Sequence, residues 1–424
     1  MSGDAPSDEF LSAVSALRAA HPEAPSRYAL PLAFNTFGDE EIAAALEVLV
    51  TGPLTLSRRV EEFERRFAAE HGAPDAVYVN SGSSANLLML ATLVRGIDGT
   101  PPALAPGDEV IVPAVTWSTT IWPITQVGAV PVLVDVSTES LNLTLESVEA
   151  AITPKTKAIF VTHLLGNVGP IEAIRALATD RGLLLFEDCC EALDAEVDGA
   201  KVGTFGRMSS YSFYFSHHIC TIEGGMVVAN EAVDGETLRT LRAHGWSRNL
   251  SPDRRAAVEA AYPEIDPRFL FVDAGYNLRP TELQAAIGMV QMDRRAGFLD
   301  VRRRLGAEWA TARDAHPALF EPTMFAPGAS HFAFPIVLRE DARASRADLM
   351  AFMEAWGIET RPLVAGNLAR QPGMQRVAHR VAGPLTGADA LHVRAMYVGM
   401  PVTDDAPAHL VPEAIDAFAR EVGS

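Results

Sequence analysis

From residue 76 onward, short runs rich in apolar and β-branched residues alternate with stretches whose apolar residues recur at helical spacing. No other feature constrains the fold as strongly, because this alternation is the pattern of a parallel sheet wrapped by helices. The expected strands are residues 76–80, 109–113, 130–135, 158–163, 183–187, 209–215 and 225–229. Several are apolar throughout, as strands covered on both faces are. Helical periodicity fills the gaps at 84–94, 145–152 and 171–179. The chain is therefore expected to be an α/β protein with a mostly parallel, seven-stranded sheet flanked by helices.

A long helix is expected to begin near Pro280, whose missing N–H suits a first helical turn, and to lead into a charged helix around 300–315. A strand near 332–338 and helices near 346–356 and 412–422 read as a smaller C-terminal α/β lobe. The division expected is an N-terminal arm over 1–30, loosely held over its first 26 residues, a large domain over 31–295 and a small domain over 296–424.

Charge and cysteine content narrow the function. A formal charge of −19 over 424 residues disfavours nucleic acid and anionic membrane surfaces as partners. No apolar run reaches the roughly 18 residues of a membrane span, and the first residues lack the basic and apolar regions of a secretory leader, so a cytoplasmic location is expected. The three cysteines, Cys189, Cys190 and Cys220, are too few for a disulfide framework and have no metal-binding spacing; no metal site is expected.

Four segments carry chemistry. Asn80-Ser-Gly-Ser-Ser-Ala-Asn86 lies between a strand and a helix, where Gly82, Ser83 and Ser84 could bring backbone N–H groups and hydroxyls to a phosphate; an ordinary capped turn would look the same. Val112-Pro-Ala-Val-Thr-Trp117 places Trp117 just beyond a strand end. Phe186-Glu-Asp-Cys-Cys-Glu191 puts Asp188 and Glu191 at the end of an apolar strand. Finally, residues 209–226 contain Ser212-Phe213, the pair His217-His218, and Glu223-Gly224-Gly225.

That last segment closely resembles the lysine-bearing stretch of the pyridoxal phosphate sugar aminotransferases of fold type I, the DegT/DnrJ/EryC1/StrS-like group, whose pattern is Ser-Phe-(x)3-Lys-(x)5-Glu-Gly-Gly. Here Ser212, Phe213, Glu223, Gly224 and Gly225 keep the frame, and His217 stands in the lysine slot. A lysine amine forms an imine with the cofactor aldehyde, and an imidazole cannot; it can only take and return a proton. The exchange, together with Ser216-His217-His218 and the stretch 359–372, resembles the nucleotide-sugar 3-dehydratase branch.

The resemblance spans nearly the whole chain and implies the aspartate aminotransferase fold, with pyridoxamine or pyridoxal phosphate bound non-covalently. It implies that Trp117 stacks on the cofactor ring and Asp188 meets the ring nitrogen. Glu191 would reach the ring hydroxyl or the reacting centre, and Ser212 would add to the phosphate site. Asn277, in Gly275-Tyr-Asn-Leu-Arg-Pro-Thr281, would reach the neighbouring subunit's cofactor, making a homodimer with composite active sites. His244, Arg361 and Asn367 are the expected substrate contacts, Arg361 facing a phosphate or the carboxylate of a glutamate co-substrate.

The implied reaction removes the 3-hydroxyl of a nucleotide-linked 4-keto-6-deoxyhexose, with His217 as acid and base and L-glutamate restoring the amine cofactor. One branch, resembling GDP-4-keto-6-deoxymannose 3-dehydratase, has no iron–sulfur cluster; another carries a two-iron cluster and takes electrons from a reductase. Such a cluster needs four thiolates, and the chain has three cysteines, so the cluster-free branch is expected. The rival readings are a sugar aminotransferase, which the missing lysine opposes, a reductase-coupled deoxygenase, and a non-catalytic sugar- or cofactor-binding regulator.

Overall fold

The computed structural model describes residues 7–22, 26–95 and 102–423. Helices α1 (Asp8–Ala20), α2 (Asp39–Thr51) and α3 (Arg58–Glu70) precede strand β1 (Asp75–Val79). Helix and strand then alternate through α4 (Gly82–Leu93), β2 (Glu109–Pro113), α5 (Ser118–Gln126), β3 (Val130–Val134), α6 (Leu145–Ala151), β4 (Thr156–Thr162), α7 (Ile171–Arg181) and β5 (Leu184–Asp188). A hairpin, β6 (Glu196–Val197) with β7 (Ala200–Lys201), leads to β8 (Met208–Ser212) and β9 (Gly225–Ala229). Helices α8 (Ala232–Arg242), α9 (Pro252–Ala261) and the 33-residue α10 (Glu282–Asp314) follow. The chain ends through β10 (Ala333–Val337), α11 (Arg346–Ala355), β11 (Thr360–Pro362), β12 (Arg380–Val381), α12 (Thr386–Arg394), β13 (Ala395–Gly399) and α13 (Leu410–Gly423).

The large sheet runs β1-β9-β8-β5-β4-β2-β3-β12. From β8 to β12 all neighbours are parallel, whereas β9 is antiparallel to both β8 and β1. Seven of these strands are the apolar runs of the sequence. The eighth corrects the expected count: β12 has only two residues, too few to show a period, and pairs with the edge of β3 through Arg380↔Val132. Strand β8 also stops at Ser212, short of the expected 215: Phe213 N–H still reaches Gly224 O, but its carbonyl accepts Thr221 N–H and the chain leaves the sheet.

Helix α4 is buried along most of its length, from Ala85 through Leu93, which accounts for its lack of a polar face. Its start is therefore fixed against the sheet on which the site is built. A three-stranded antiparallel sheet, β10-β13-β11, forms a second layer with its own apolar cluster around Trp309, Phe334, Met353 and Ile415.

Helix α10 is one continuous element, and residues 295 and 296, where a domain division was expected, fall inside it. It packs Ala286 against Ala44 and Val48 at one end and carries Leu305 and Trp309 into the second cluster at the other. Its N-cap is Thr281, whose hydroxyl accepts Gln284 N–H, so Pro280 lies just outside the helix rather than in its first turn. Within the expected N-terminal arm, α1 is capped by Ser7, buries Val14 and joins α2 through Arg18 and Asp39 at 2.7 Å. Among the described residues, no helix is long and apolar enough to cross a membrane.

Candidate active site

The C-terminal ends of β2, β4 and β5 and the N-terminus of α4 surround a cavity of about 380 Å³. This is where ligands sit in open parallel sheets, since strand ends and helix starts converge there. Gly82, Ser83, Trp117, Asp188, Glu191, Ser212 and His217 all line it.

Ser81 caps α4, its Oγ accepting Ser84 N–H at 3.1 Å and bonding Ser84 Oγ at 2.9 Å. Ser84 is thereby committed to the cap and does not line the cavity; Gly82 and Ser83 do. Close packing dictates the glycine: a Cβ at Gly82 would lie 2.6 Å from Ser212 Cβ and 2.9 Å from Cys190 Sγ. Gly225 has the same cause, since its Cβ would lie 2.4 Å from the Ser81 carbonyl and 2.6 Å from Gly82 N. Gly225 thus lets β9 touch the backbone of the helix start, and the cradle can accept a phosphate on its N–H groups.

Asp188 is 4% exposed and held by three donors. Its Oδ2 accepts Asn86 Nδ2 at 2.9 Å and Thr120 Oγ1 at 2.7 Å, and its Oδ1 accepts Cys190 N–H at 3.1 Å. Oδ1 keeps acceptor capacity for a further N–H, as a pyridinium requires. Behind it, Thr116 bridges Thr120 and Thr162 at 3.0 Å each. Glu191 accepts Leu165 N–H at 2.7 Å; burial chiefly, and the Asp188 carboxylate in addition, push its pKa up to about 7. Leu165 adopts a left-handed φ of 53° to make this bond. Trp117 is 57% exposed at the cavity wall, which excludes a core role.

His217 and His218 differ in their surroundings. His218 is buried, and its Nε2 meets Ser330 O at 3.1 Å and Ser330 Oγ at 2.9 Å. His217 faces the cavity with its ring edge-on to Phe332, centroids 4.9 Å apart, and its buried Nδ1 has no partner among the described residues. Burial first, and the Arg302 guanidinium second, bring its pKa down to about 3, so the ring is neutral. The chain has three lysines in all: Lys155 and Lys157 at the opposite end of β4, and Lys201 paired with Asp194 at 2.6 Å. None lines the cavity.

Four further expected residues lie elsewhere in the single chain. Exposed Asn277 accepts Arg279 Nε at 2.9 Å. His244, at a φ of 67°, bonds Tyr276 O through its N–H and sets its ring against Trp246. Arg361 is exposed and pairs with Glu359 at 2.8 Å. Asn367 is buried, with its amide spent on Asp389 at 2.7 Å and on Ala369 N–H at 3.0 Å. Sequence reasoning missed Asn86 and Thr120, the clamps on Asp188. Asn86 stands four residues after Gly82, on the same helix face, and that spacing could have found it. Phe332, Val364 and Tyr397 also line the cavity, but they arrive from the distant lobe with no local signal.

A second cluster, buried His163, Glu187 and Cys189, has metal-like proximity, with ligand atoms within 4.8 Å. Glu187, however, already accepts Gly203, Phe205 and Gly206 N–H groups and meets His163 Nε2 at 3.1 Å. It anchors the loop before β8.

Residues 35–415 match the DegT/DnrJ/EryC1/StrS aminotransferase family. GDP-4-keto-6-deoxy-D-mannose 3-dehydratase of Yersinia pseudotuberculosis is 35% identical over 370 residues, covering 87% of this chain and 93% of the relative. The Escherichia coli GDP-4-keto-6-deoxy-D-mannose-3-dehydratase with bound hydrated PLP superposes with a TM-score of 0.84 at 34% identity, covering 93% of this chain and 98% of the other. A GDP-4-keto-6-deoxymannose-3-dehydratase with a trapped PLP–glutamate geminal diamine gives 0.85 at 34% identity, covering 91% and 100%.

Proposed function

The chain belongs to the DegT/DnrJ/EryC1/StrS aminotransferase family, and from that premise we propose that it is a pyridoxamine/pyridoxal phosphate-dependent lyase of deoxysugar biosynthesis. It removes the 3-hydroxyl of a nucleotide-linked 4-keto-6-deoxyhexose. The relatives' names favour a GDP-linked sugar, and the PLP–glutamate neighbour favours glutamate as amino donor. One observation carries the reading: a neutral imidazole, His217, stands in the cavity wall and no lysine does.

The residues fit the cofactor. Gly82 and Ser83, with Ser212, form a cradle whose close packing leaves no room for a Cβ at residue 82, and Asp188 keeps an acceptor for the ring nitrogen. Trp117 offers its indole face. When bound, the cofactor supplies an amine for the 4-keto carbon and a ring that accepts electrons. His217 accepts a proton at its imidazole and hands it back as the 3-hydroxyl departs. Glu191, its pKa raised to about 7 chiefly by burial, can hold a second proton beside Asp188. Because His217 cannot bond covalently to the cofactor aldehyde, binding rests on these non-covalent contacts.

The functional unit is a homodimer with composite sites. Trp117, Tyr214, Phe215 and Ile222, on segments that rim the cavity, leave 38–57% of their surface exposed, and a partner subunit would cover them. Asn277, exposed in one chain, serves the partner's cofactor in this arrangement, while His244, Arg361 and Asn367 are assigned to the substrate side with Arg361 meeting phosphate or glutamate. Its place of work is the cytoplasm, where three unpaired thiols stay reduced.

The test is His217→Asn with pyridoxamine phosphate and GDP-4-keto-6-deoxymannose. The variant should bind cofactor yet neither exchange the cofactor methylene proton nor release water, read by mass. Dehydration at the parent rate would place the base elsewhere and overturn the assignment.

A further inference from the structure

Strand β13 runs through the middle of the small sheet, and its side chains alternate between two environments. Met396 and Val398 enter the apolar cluster of the small lobe. Tyr397, between them, points the other way, packs against the main core and lines the cavity. Its cross-strand neighbours are Pro335 on β10 and Arg361 on β11.

A tyrosine whose ring is largely buried normally rests its hydroxyl on a partner. Tyr78 gives its hydroxyl to Thr221 Oγ1 and Tyr211 to the Val202 carbonyl, each at 2.9 Å. The Tyr397 hydroxyl has no hydrogen bond among the described residues, and it is not sealed away from solvent either. Burial first, and the Glu191 carboxylate second, push its pKa up to about 12, so it keeps its proton and is a donor throughout the neutral range. Phe332 and Val364, which the small lobe also sends to the cavity wall, have apolar side chains. Among the described residues, Tyr397 is therefore the one side-chain donor that this lobe turns toward the ligand space.

The cofactor finds its polar partners on the large domain, in Asp188 and in the cradle of Gly82, Ser83 and Ser212. What remains for Tyr397 is the sugar. In a 4-keto-6-deoxyhexose the oxygen at carbon 4 is given up to the cofactor amine, the 3-hydroxyl departs and carbon 6 is a methyl group. The ring oxygen and the oxygen at carbon 1 are bridging atoms. The 2-hydroxyl is thus the one hydroxyl that the hexose keeps from the start of the reaction to its end.

We propose that Tyr397 is a specificity-determining residue that donates its hydroxyl to the 2-hydroxyl oxygen of the bound hexose, so that the site selects sugars oxygenated at carbon 2. This rests on the dehydratase reading and names the part of the substrate that the small lobe reads. A sugar without that oxygen would cover the Tyr397 hydroxyl and leave it unpartnered, which is how a polar site rejects an analogue lacking one group.

Tyr397→Phe removes the hydroxyl and leaves the ring. Because the hydroxyl holds nothing in the unliganded protein, the variant should match the parent in urea midpoint and in calorimetric affinity for pyridoxamine phosphate. Both proteins are then given GDP-4-keto-6-deoxymannose and its 2-deoxy counterpart, and kcat/KM is read from the loss of water by mass. The parent should favour the 2-hydroxylated sugar by about tenfold, and Tyr397→Phe should lose about tenfold on that sugar while equalling the parent on the 2-deoxy one. An equal loss on both sugars, an unchanged preference, a lowered urea midpoint or a weaker hold on pyridoxamine phosphate would overturn the proposal, the last by placing the hydroxyl on the cofactor instead. Dehydration of neither sugar by the cofactor-loaded parent is the separate result that would remove the dehydratase reading itself.

Discussion

Replacing Asp188 by asparagine should damage stability modestly and catalysis severely, and the local geometry says why. Three donors converge on the carboxylate, two on Oδ2 and one on Oδ1. An asparagine has one acceptor oxygen. Asn86 cannot turn to compensate, since its Nδ2 also donates to Thr119 O at 3.1 Å and its Oδ1 accepts Ser210 Oγ. The least costly orientation keeps the oxygen toward Asn86 and Thr120 and sets the new NH2 against Cys190 N–H. One buried donor is then unsatisfied, at about 1–3 kcal/mol, and two charge-assisted bonds become neutral ones. A destabilisation of roughly 2–3 kcal/mol is expected, read as a lower urea midpoint at unchanged slope.

The same NH2 would face the cofactor ring nitrogen, where a donor replaces an acceptor. Losing that preorganised partner should lower turnover by on the order of 10²-fold or more, with a smaller loss of cofactor affinity in calorimetry. Turnover equal to the parent's, alongside the expected loss of stability, would refute the reasoning and reduce Asp188 to a scaffold residue.

Gly225→Ala would push a Cβ into the Ser81 carbonyl and Gly82 N, backbone on both sides, so overpacking of about 1–3 kcal/mol and at least tenfold weaker cofactor binding are expected; parent-like melting and affinity together would contradict it. Stability should also fall on acidification. His71 and His331, each brought down to about 4 chiefly by burial, bind protons more readily unfolded than folded. Their contribution is complete above pH 6.5 and is lost as pH falls toward 4, up to about 3 kcal/mol each. Glu191 has the opposite sign, its contribution being full below pH 4.5 and lost as pH rises through 7. Urea unfolding at pH 7.5 and 5 should show a smaller difference in His71→Gln than in the parent, and an equal difference would rule out His71 as a source.

Legibility in the sequence followed the distance between cause and effect. The seven apolar strands could be read because burial on both faces suppresses alternation within a contiguous run. Strand β12 could not, since two residues carry no period and Arg380 is held by a partner 271 positions away, Glu109. Phe213, Tyr214 and Phe215 look like strand residues, yet the backbone leaves the sheet after Ser212 because the loop that presents His217 closes through Thr221 N–H on the Phe213 carbonyl. Likewise Asp188, Glu191, Trp117 and Ser212 lie in compact motifs, whereas Thr120, which clamps Asp188, and Leu165, which holds Glu191, do not.

The adjacent histidines show where that limit has chemical consequences. Ser216-His217-His218 gives two imidazoles one residue apart and nothing in the local pattern assigns them different work. The assignment comes from the strap over residues 330–332, more than a hundred positions away: Ser330 takes His218 Nε2 and ties that ring into the interior, and Phe332 offers His217 only a ring edge. A ring tied through Nε2 and set away from the cavity cannot reach a proton there, whereas His217 faces the cavity. With the role proposed for His217, exchanging Phe332 for a hydrogen-bonding residue should slow exchange of the cofactor methylene proton even with the motif intact.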